Sequence, residues 1–223
     1  MTALSIDVDN APIAALIDEA SDPRAIVTLA HGAGADMHHH FLESVATRLA
    51  TSGITCLRHQ FPYTHGGRRR IDSKPVLLAT IRAVAEFART RWPALPQFVG
   101  GKSMGGRMAT LAAAQAPLAA ARGLILLGFP LHPPGAISIE RAAHMPRVAL
   151  PALFVQGTRD AMGSVELLRT CLPPGGRIHV IDHADHGFAV LRRSGRDPAA
   201  VLDELVAAVA AFADDVLFGT PIA

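Results

Sequence analysis

The chain has 223 residues, half of them hydrophobic, and a formal charge of +2; that length suits one domain, residues 1–223, able to bury roughly 70% of its unfolded surface. So small a charge implies no nucleic-acid partner unless it is concentrated on one face, and the one basic cluster, Arg68-Arg69-Arg70, does not suggest that; no apolar run approaches the ~20 residues that span a bilayer, so no membrane partner is expected. The start, residues 1–7, lacks a signal-peptide pattern, and the two distant cysteines, Cys56 and Cys171, form no pair motif, which together read as a reduced, cytoplasmic protein.

In chain order, residues 5–18 have the pattern of an antiparallel hairpin at a sheet edge, and residues 25–30, Ala-Ile-Val-Thr-Leu-Ala, read as the first buried strand. A glycine-rich turn, His31-Gly-Ala-Gly-Ala35, leads to a helix in which Phe41, Val45 and Leu49 share one face and which Gly53 ends. Residues 54–58 are the next strand. The basic loop Arg68-Arg69-Arg70 then follows two glycines and lacks interleaved aromatics, so it reads as a solvated loop or a local anion contact. Ser73 is placed to cap a helix with Leu77, Ile81, Val84 and Ala85 on one face. A strand at 97–100 gives way to a helix through about Gln115, and 123–128 reads as a central strand. The Pro-rich stretch 129–149 is irregular and too short for a separate domain. Strands at 151–156 and 177–181 precede a last helix with Asp197 as cap and Pro198 at its first position. Strands alternating with helices predict an α/β fold, a mostly parallel central sheet with helices on both faces.

Between the strand at 97–100 and its helix lies Gly101-Lys102-Ser103-Met104-Gly105, a G-x-S-x-G pattern. A sharp strand-to-helix turn of this kind exposes the serine hydroxyl and leaves the next amide, that of Met104, at a helix N-terminus facing a developing oxyanion. The rival reading, the tail of a phosphate-binding loop, needs a glycine where Pro96 stands. Ser103 is therefore the candidate nucleophile. It requires a base to take its proton, and His186 is the candidate, with Asp160, at the end of the strand 151–156, as the acid that orients it. His183 competes with His186, but His186 lies farther out on its loop and precedes Gly187, which allows a tight bend. Asp182 and Asp185 compete with Asp160, but lie too close in sequence to reach around the ring. The amide of Ala33, or of Gly32, is placed to complete an oxyanion hole with Met104. His38, His39 and His40 project ~100° apart if helical and cannot converge on one ion, so no metal or cofactor is expected. Tyr63 and Phe61-Pro62 are candidates to line the mouth of the site or to pack a loop, and Lys102 with the three arginines is either surface charge or a preference for anionic substrates.

These segments, together with Phe61-Pro-Tyr63, Gly128-Phe-Pro-Leu-His-Pro-Pro134, Gln156-Gly-Thr-Arg-Asp160 and Asp185-His186, give the chain a resemblance over residues 25–188. It resembles the compact, dienelactone-hydrolase-like α/β-hydrolases, most closely a predicted-hydrolase family with relatives among animal chromatin-complex subunits and testis-expressed proteins. Serine, acid, histidine is also the α/β-hydrolase order. The resemblance implies an α/β-hydrolase fold with a minimal cap or none, and an esterase-type activity on a small acyl substrate. One departure is plain: dienelactone hydrolases use a cysteine nucleophile where this chain has Ser103, so dienelactone is not carried over as substrate. A module that binds or scaffolds without catalysis is the alternative expectation.

Overall fold

In the computed structural model, which describes residues 1–118 and 120–219, the strands are β1 (Thr2–Val8), β2 (Ala11–Asp18), β3 (Ala25–Ala30), β4 (Ile54–His59), β5 (Gln97–Lys102), β6 (Ala121–Leu127), β7 (Ala152–Gly157) and β8 (Gly176–Ile181). The helices are α1 (His40–Thr51), α2 (Pro62–His65), α3 (Lys74–Arg91), α4 (Met104–Gln115), α5 (Val165–Arg169) and α6 (Pro198–Phe218). One eight-stranded sheet runs in the order β1-β2-β4-β3-β5-β6-β7-β8. All its pairings from β4 to β8 are parallel, while β2 runs antiparallel to both β1 and β4. This is the expected α/β-hydrolase architecture.

The central strands are apolar on both faces because both faces are covered. Val27, Leu29, Ile125, Leu127 and Val155 pack on α1 and α6, whereas Leu124, Leu126 and Phe154 pack on the other side with Met108, Ala109 and Ala112 of α4. Residues 129–149 join that second cluster through Leu131, Met145 and Val148, so the stretch lies against the core instead of forming a cap.

The expected hairpin is β1 and β2, joined by Asp9 and Asn10, both at positive φ (49° and 65°), the turn geometry that matches strand twist. One local expectation needs correction, and two details lay outside the sequence reading. Ser73 occupies the cap position of α3 but makes no side-chain cap bond; the neighbouring Asp72 instead accepts from the Tyr63 amide at 2.7 Å and pairs with Arg68. The short helices α2 and α5 were not read, because four or five residues are too few to show a helical period. Only His40 of the three successive histidines is helical. His39 is the cap of α1, its ring accepting from the Phe41 amide, and no three or more His, Cys, Asp or Glu side chains come together as a metal-ligand set among the described residues.

Candidate active site

At the end of β5 the backbone turns through Ser103, whose φ of 51° and ψ of −113° lie in a region that non-glycine residues adopt only at an energetic cost. The flanking glycines allow this turn to sit against β3: a Cβ on either Gly101 or Gly105 would come within 2.4 Å of the Ala30 carbonyl oxygen. The Ser103 amide donates to Leu127 on β6 and its carbonyl accepts from Arg107, tying the turn to the sheet below and to the first turn of α4. Met104 is the first residue of α4, so its amide has no partner within the helix.

The structure brings together three of the sequence-derived residues in one line. Ser103 Oγ lies 2.9 Å from His186 Nε2, and His186 Nδ1 lies 2.8 Å from Asp160 Oδ2. With Asp160 accepting at Nδ1, the proton of neutral His186 sits on that nitrogen and Nε2 is free to accept from the serine. The Asp160 side chain is wholly buried. Its Oδ1 accepts from the Met162 amide at 2.8 Å, and its Oδ2 also accepts from Gln156 Nε2 at 2.9 Å.

The rivals fall outside this line. The His183 side chain is half exposed, 3.5 Å from Asp182, and Asp182 accepts from Thr158 and from the His183 amide. Asp185 shapes the histidine loop: its Oδ1 accepts from the Gly187 and Ala189 amides at 2.8 and 3.0 Å. The bend expected at Gly187 occurs one residue later. Phe188, with φ of 64°, carries the left-handed conformation.

Gly32 and Ala33 line the cavity of about 200 Å³ into which Ser103 and His186 open. The loop holding them is anchored by His31, a fully buried ring. Its Nδ1 donates to the Gly32 carbonyl at 2.8 Å, and its Nε2 accepts from the Phe61 amide at 3.2 Å and lies 3.0 Å from the Thr64 hydroxyl. Burial lowers the His31 pKa, which keeps the ring in the neutral form those bonds need. Arg58 anchors the far end of the same loop, donating to Asp18 at 2.8 Å and to the Met37 carbonyl at 2.7 Å. Phe61 and Tyr63 are buried and pack edge-on to His31. Tyr63 also borders a second cavity of about 530 Å³, with Arg68 and Arg69, that meets the first at Ala35 and His39.

Two residues that shape the site were not assigned from sequence. Gln156 is fully buried in β7; it accepts from the Phe129 amide at 2.8 Å and donates to both the Gly163 carbonyl and Asp160. Its only sequence signal is an amide side chain at the end of an apolar strand. Lys102 is not surface charge: its ammonium donates to the His186 carbonyl, and burial lowers its pKa from 10.5 to about 8.

A family model described as an alpha/beta hydrolase domain matches residues 23–214. Among solved structures, an α/β serine hydrolase homologue from Coxiella burnetii is 18% identical with a TM-score of 0.75, covering 93% of this chain and 97% of its own. A lidless α/β serine hydrolase from Xanthomonas campestris is 23% identical with a TM-score of 0.71, covering 99% and 96%. A dienelactone hydrolase from Anabaena variabilis is 20% identical with a TM-score of 0.71, covering 96% and 94%. At these identities the neighbours establish the fold.

Proposed function

The chain belongs to the alpha/beta hydrolase domain family, matched over residues 23–214, and from that premise we propose that it is a serine hydrolase cleaving a small ester, thioester or related acyl substrate through an acyl-enzyme. Membership of the family and the serine-hydrolase neighbours support hydrolase chemistry. The observation that carries the finer reading is the unbroken line from Ser103 Oγ through His186 to Asp160, at 2.9 and 2.8 Å, on a strained turn.

In this reading Ser103 Oγ attacks the acyl carbon while its proton passes to His186 Nε2. Asp160 stabilises the imidazolium and holds its tautomer. Negative charge developing on the acyl oxygen meets the Met104 amide and the amide of Ala33 or Gly32. His186 then returns the proton to the departing alkoxide or thiolate, leaving the acyl group on Ser103. Water, deprotonated by His186, attacks that ester, and the collapse of the second tetrahedral species frees the acid and restores the serine. The cavity of about 200 Å³ and the packing of residues 129–149 into the core favour a short acyl group at an open site.

A fluorophosphonate probe tests this directly. The native protein is expected to be labelled and to hydrolyse short aryl esters or acyl thioesters, and Ser103→Ala to lose labelling and turnover by about 10⁴-fold or more. No labelling of the native protein overturns the reading in favour of a binding module, and equal labelling of Ser103→Ala overturns Ser103 as the nucleophile.

A further inference from the structure

Lys102 separates the elbow glycine from Ser103, and its side chain runs inward. The ammonium Nζ lies 2.5 Å from the His186 carbonyl oxygen. It also sits 5.4 Å from the centre of the Phe188 ring and 6.0 Å from that of Phe41, two rings stacked 5.2 Å apart with planes 5° from parallel. The remaining wall is Gly128, just past the end of β6 with φ of 64°. A Cβ there would come 2.8 Å from Lys102 Nζ and 3.2 Å from the His186 carbonyl oxygen. Four segments, the end of β5, α1, the turn after β6 and the histidine loop, thus surround one cation at the edge of the cavity, which Lys102 itself borders.

A lysine without a task keeps its ammonium in water and buries only its stem. This one, in a residue that is only partly buried, turns its ammonium back to the backbone of His186. Its net pKa falls because burial outweighs the carboxylates of Asp160 and Asp185, which act the other way. The other titratable groups facing the slot are His186 itself and, from the cap of α1, His39, whose pKa the Lys102 charge helps to lower.

Asp160 holds the far nitrogen of the ring, and the histidine loop is tied to the end of β7 through the Arg159 amide on the Ala184 carbonyl and to the core through Phe188, but neither contact reaches the His186 backbone from the strand that carries Ser103. The Asp185 turn does not supply the missing restraint, because its bonds stay within the histidine loop. The Lys102 bond joins the backbone of His186 to the strand end that carries Ser103. We propose that Lys102 is a positioning residue for the catalytic base, pinning the His186 backbone to the nucleophile strand so that Nε2 meets the serine oxygen. The proposal rests on the serine-hydrolase reading above.

The sign of its pH dependence follows. As pH rises through about 8 the ammonium loses its proton; the neutral amine is a weaker donor and loses its attraction to the ring faces, so kcat falls on the alkaline side. Stability moves the other way. The folded pKa lies below that of the unfolded chain, which therefore binds more protons between pH about 8 and 10.5, and stability rises with pH across that window. Below it the partly desolvated ammonium is held at the expense of stability.

Lys102→Met, similar in length and uncharged, separates positioning from structure. We expect kcat to fall about 10- to 100-fold with KM within about twofold, the alkaline limb near pH 8 to disappear, and Tm to stay level or rise. Phe188→Leu keeps the lysine but removes a ring face, and should move the alkaline limb to lower pH. The downfield proton resonance of His186 Nδ1–H reads the ring without turnover, and should shift or broaden in Lys102→Met. Native kcat in Lys102→Met, an alkaline limb unchanged in both variants, or a native His186 resonance in Lys102→Met each overturns the proposal. Absence of labelling and turnover in the native protein, matching Ser103→Ala, is instead failure of the hydrolase reading, and the resonance still decides the pinning.

Discussion

The two halves of the candidate site are built by different means. The nucleophile half is a backbone device: Ser103 is held by the β5 to α4 turn, by its own amide and carbonyl bonds to Leu127 and Arg107, and by glycines that let the turn press on Ala30. The acid and base half is a side-chain device. Asp160 and His186 sit on loops after β7 and β8, and their geometry depends on Gln156, the Met162 amide, the Asp185 turn and Lys102. The difference teaches where each half should fail. Damage to the first should appear as lost folding, and damage to the second as lost rate in a folded protein.

Gly105→Ala puts that contrast under the heaviest load. The new methyl would lie 2.4 Å from the Ala30 carbonyl oxygen and 2.7 Å from its carbon, both backbone atoms fixed in the centre of the sheet. Because neither can yield without disturbing the β3 pairing with β4 and β5, we expect a loss of about 3 kcal/mol or more, a fall in Tm of roughly 6–12 °C. Thermal denaturation measures it. A variant with native Tm and lowered kcat would show that the elbow is not the rigid half.

Asp160→Asn addresses the other half. The asparagine can keep the bond from Met162 through its oxygen, but then offers an NH₂ to His186 Nδ1, forcing the ring proton onto Nε2, the nitrogen that must accept from Ser103. A fall in kcat of about 10³- to 10⁴-fold is expected, with a smaller loss of stability, about 1–3 kcal/mol, because the new NH₂ also faces Gln156 Nε2. Steady-state kinetics beside a melting curve checks both. If Tm collapses with the rate, the carboxylate is structural first and the contrast between the halves fails.

The same division governs what the sequence revealed. The elbow was legible because its constraint is local: a turn that needs glycines beside a serine writes them at fixed spacing, and 101–105 carries them. The strands and their order were legible for a similar reason, since burial on both faces leaves apolar runs at 25–30, 123–127 and 152–155. The candidate acid and base, Asp160 and His186, were reached from strand-end position and chain order, although the local argument for the bend misplaced it by one residue, from Phe188 to Gly187. What supports them was hidden. Gln156 to Asp160 and Lys102 to His186 are contacts between side chains and distant or looped segments, up to 84 residues apart, and neither composition nor periodicity encodes where a long side chain will dock. Lys102 stood inside the motif, and its residue type alone left surface charge and a preference for anionic substrates equally open, neither of which is a bond to the His186 backbone.

Gln156 gives the smallest and most discriminating effect. In Gln156→Leu the volume is nearly kept, but the Phe129 amide and the Gly163 carbonyl lose buried partners, which costs about 1–3 kcal/mol. Asp160 retains Met162 and His186 and loses only the bond that sets its outer oxygen. We therefore expect kcat to fall about tenfold with KM unchanged, as for a carboxylate still present but loosely aimed. Steady-state kinetics beside a melting curve tests this. A drop in Tm with native kcat would make Gln156 a bolt in the frame of β7 and leave Asp160 to aim itself.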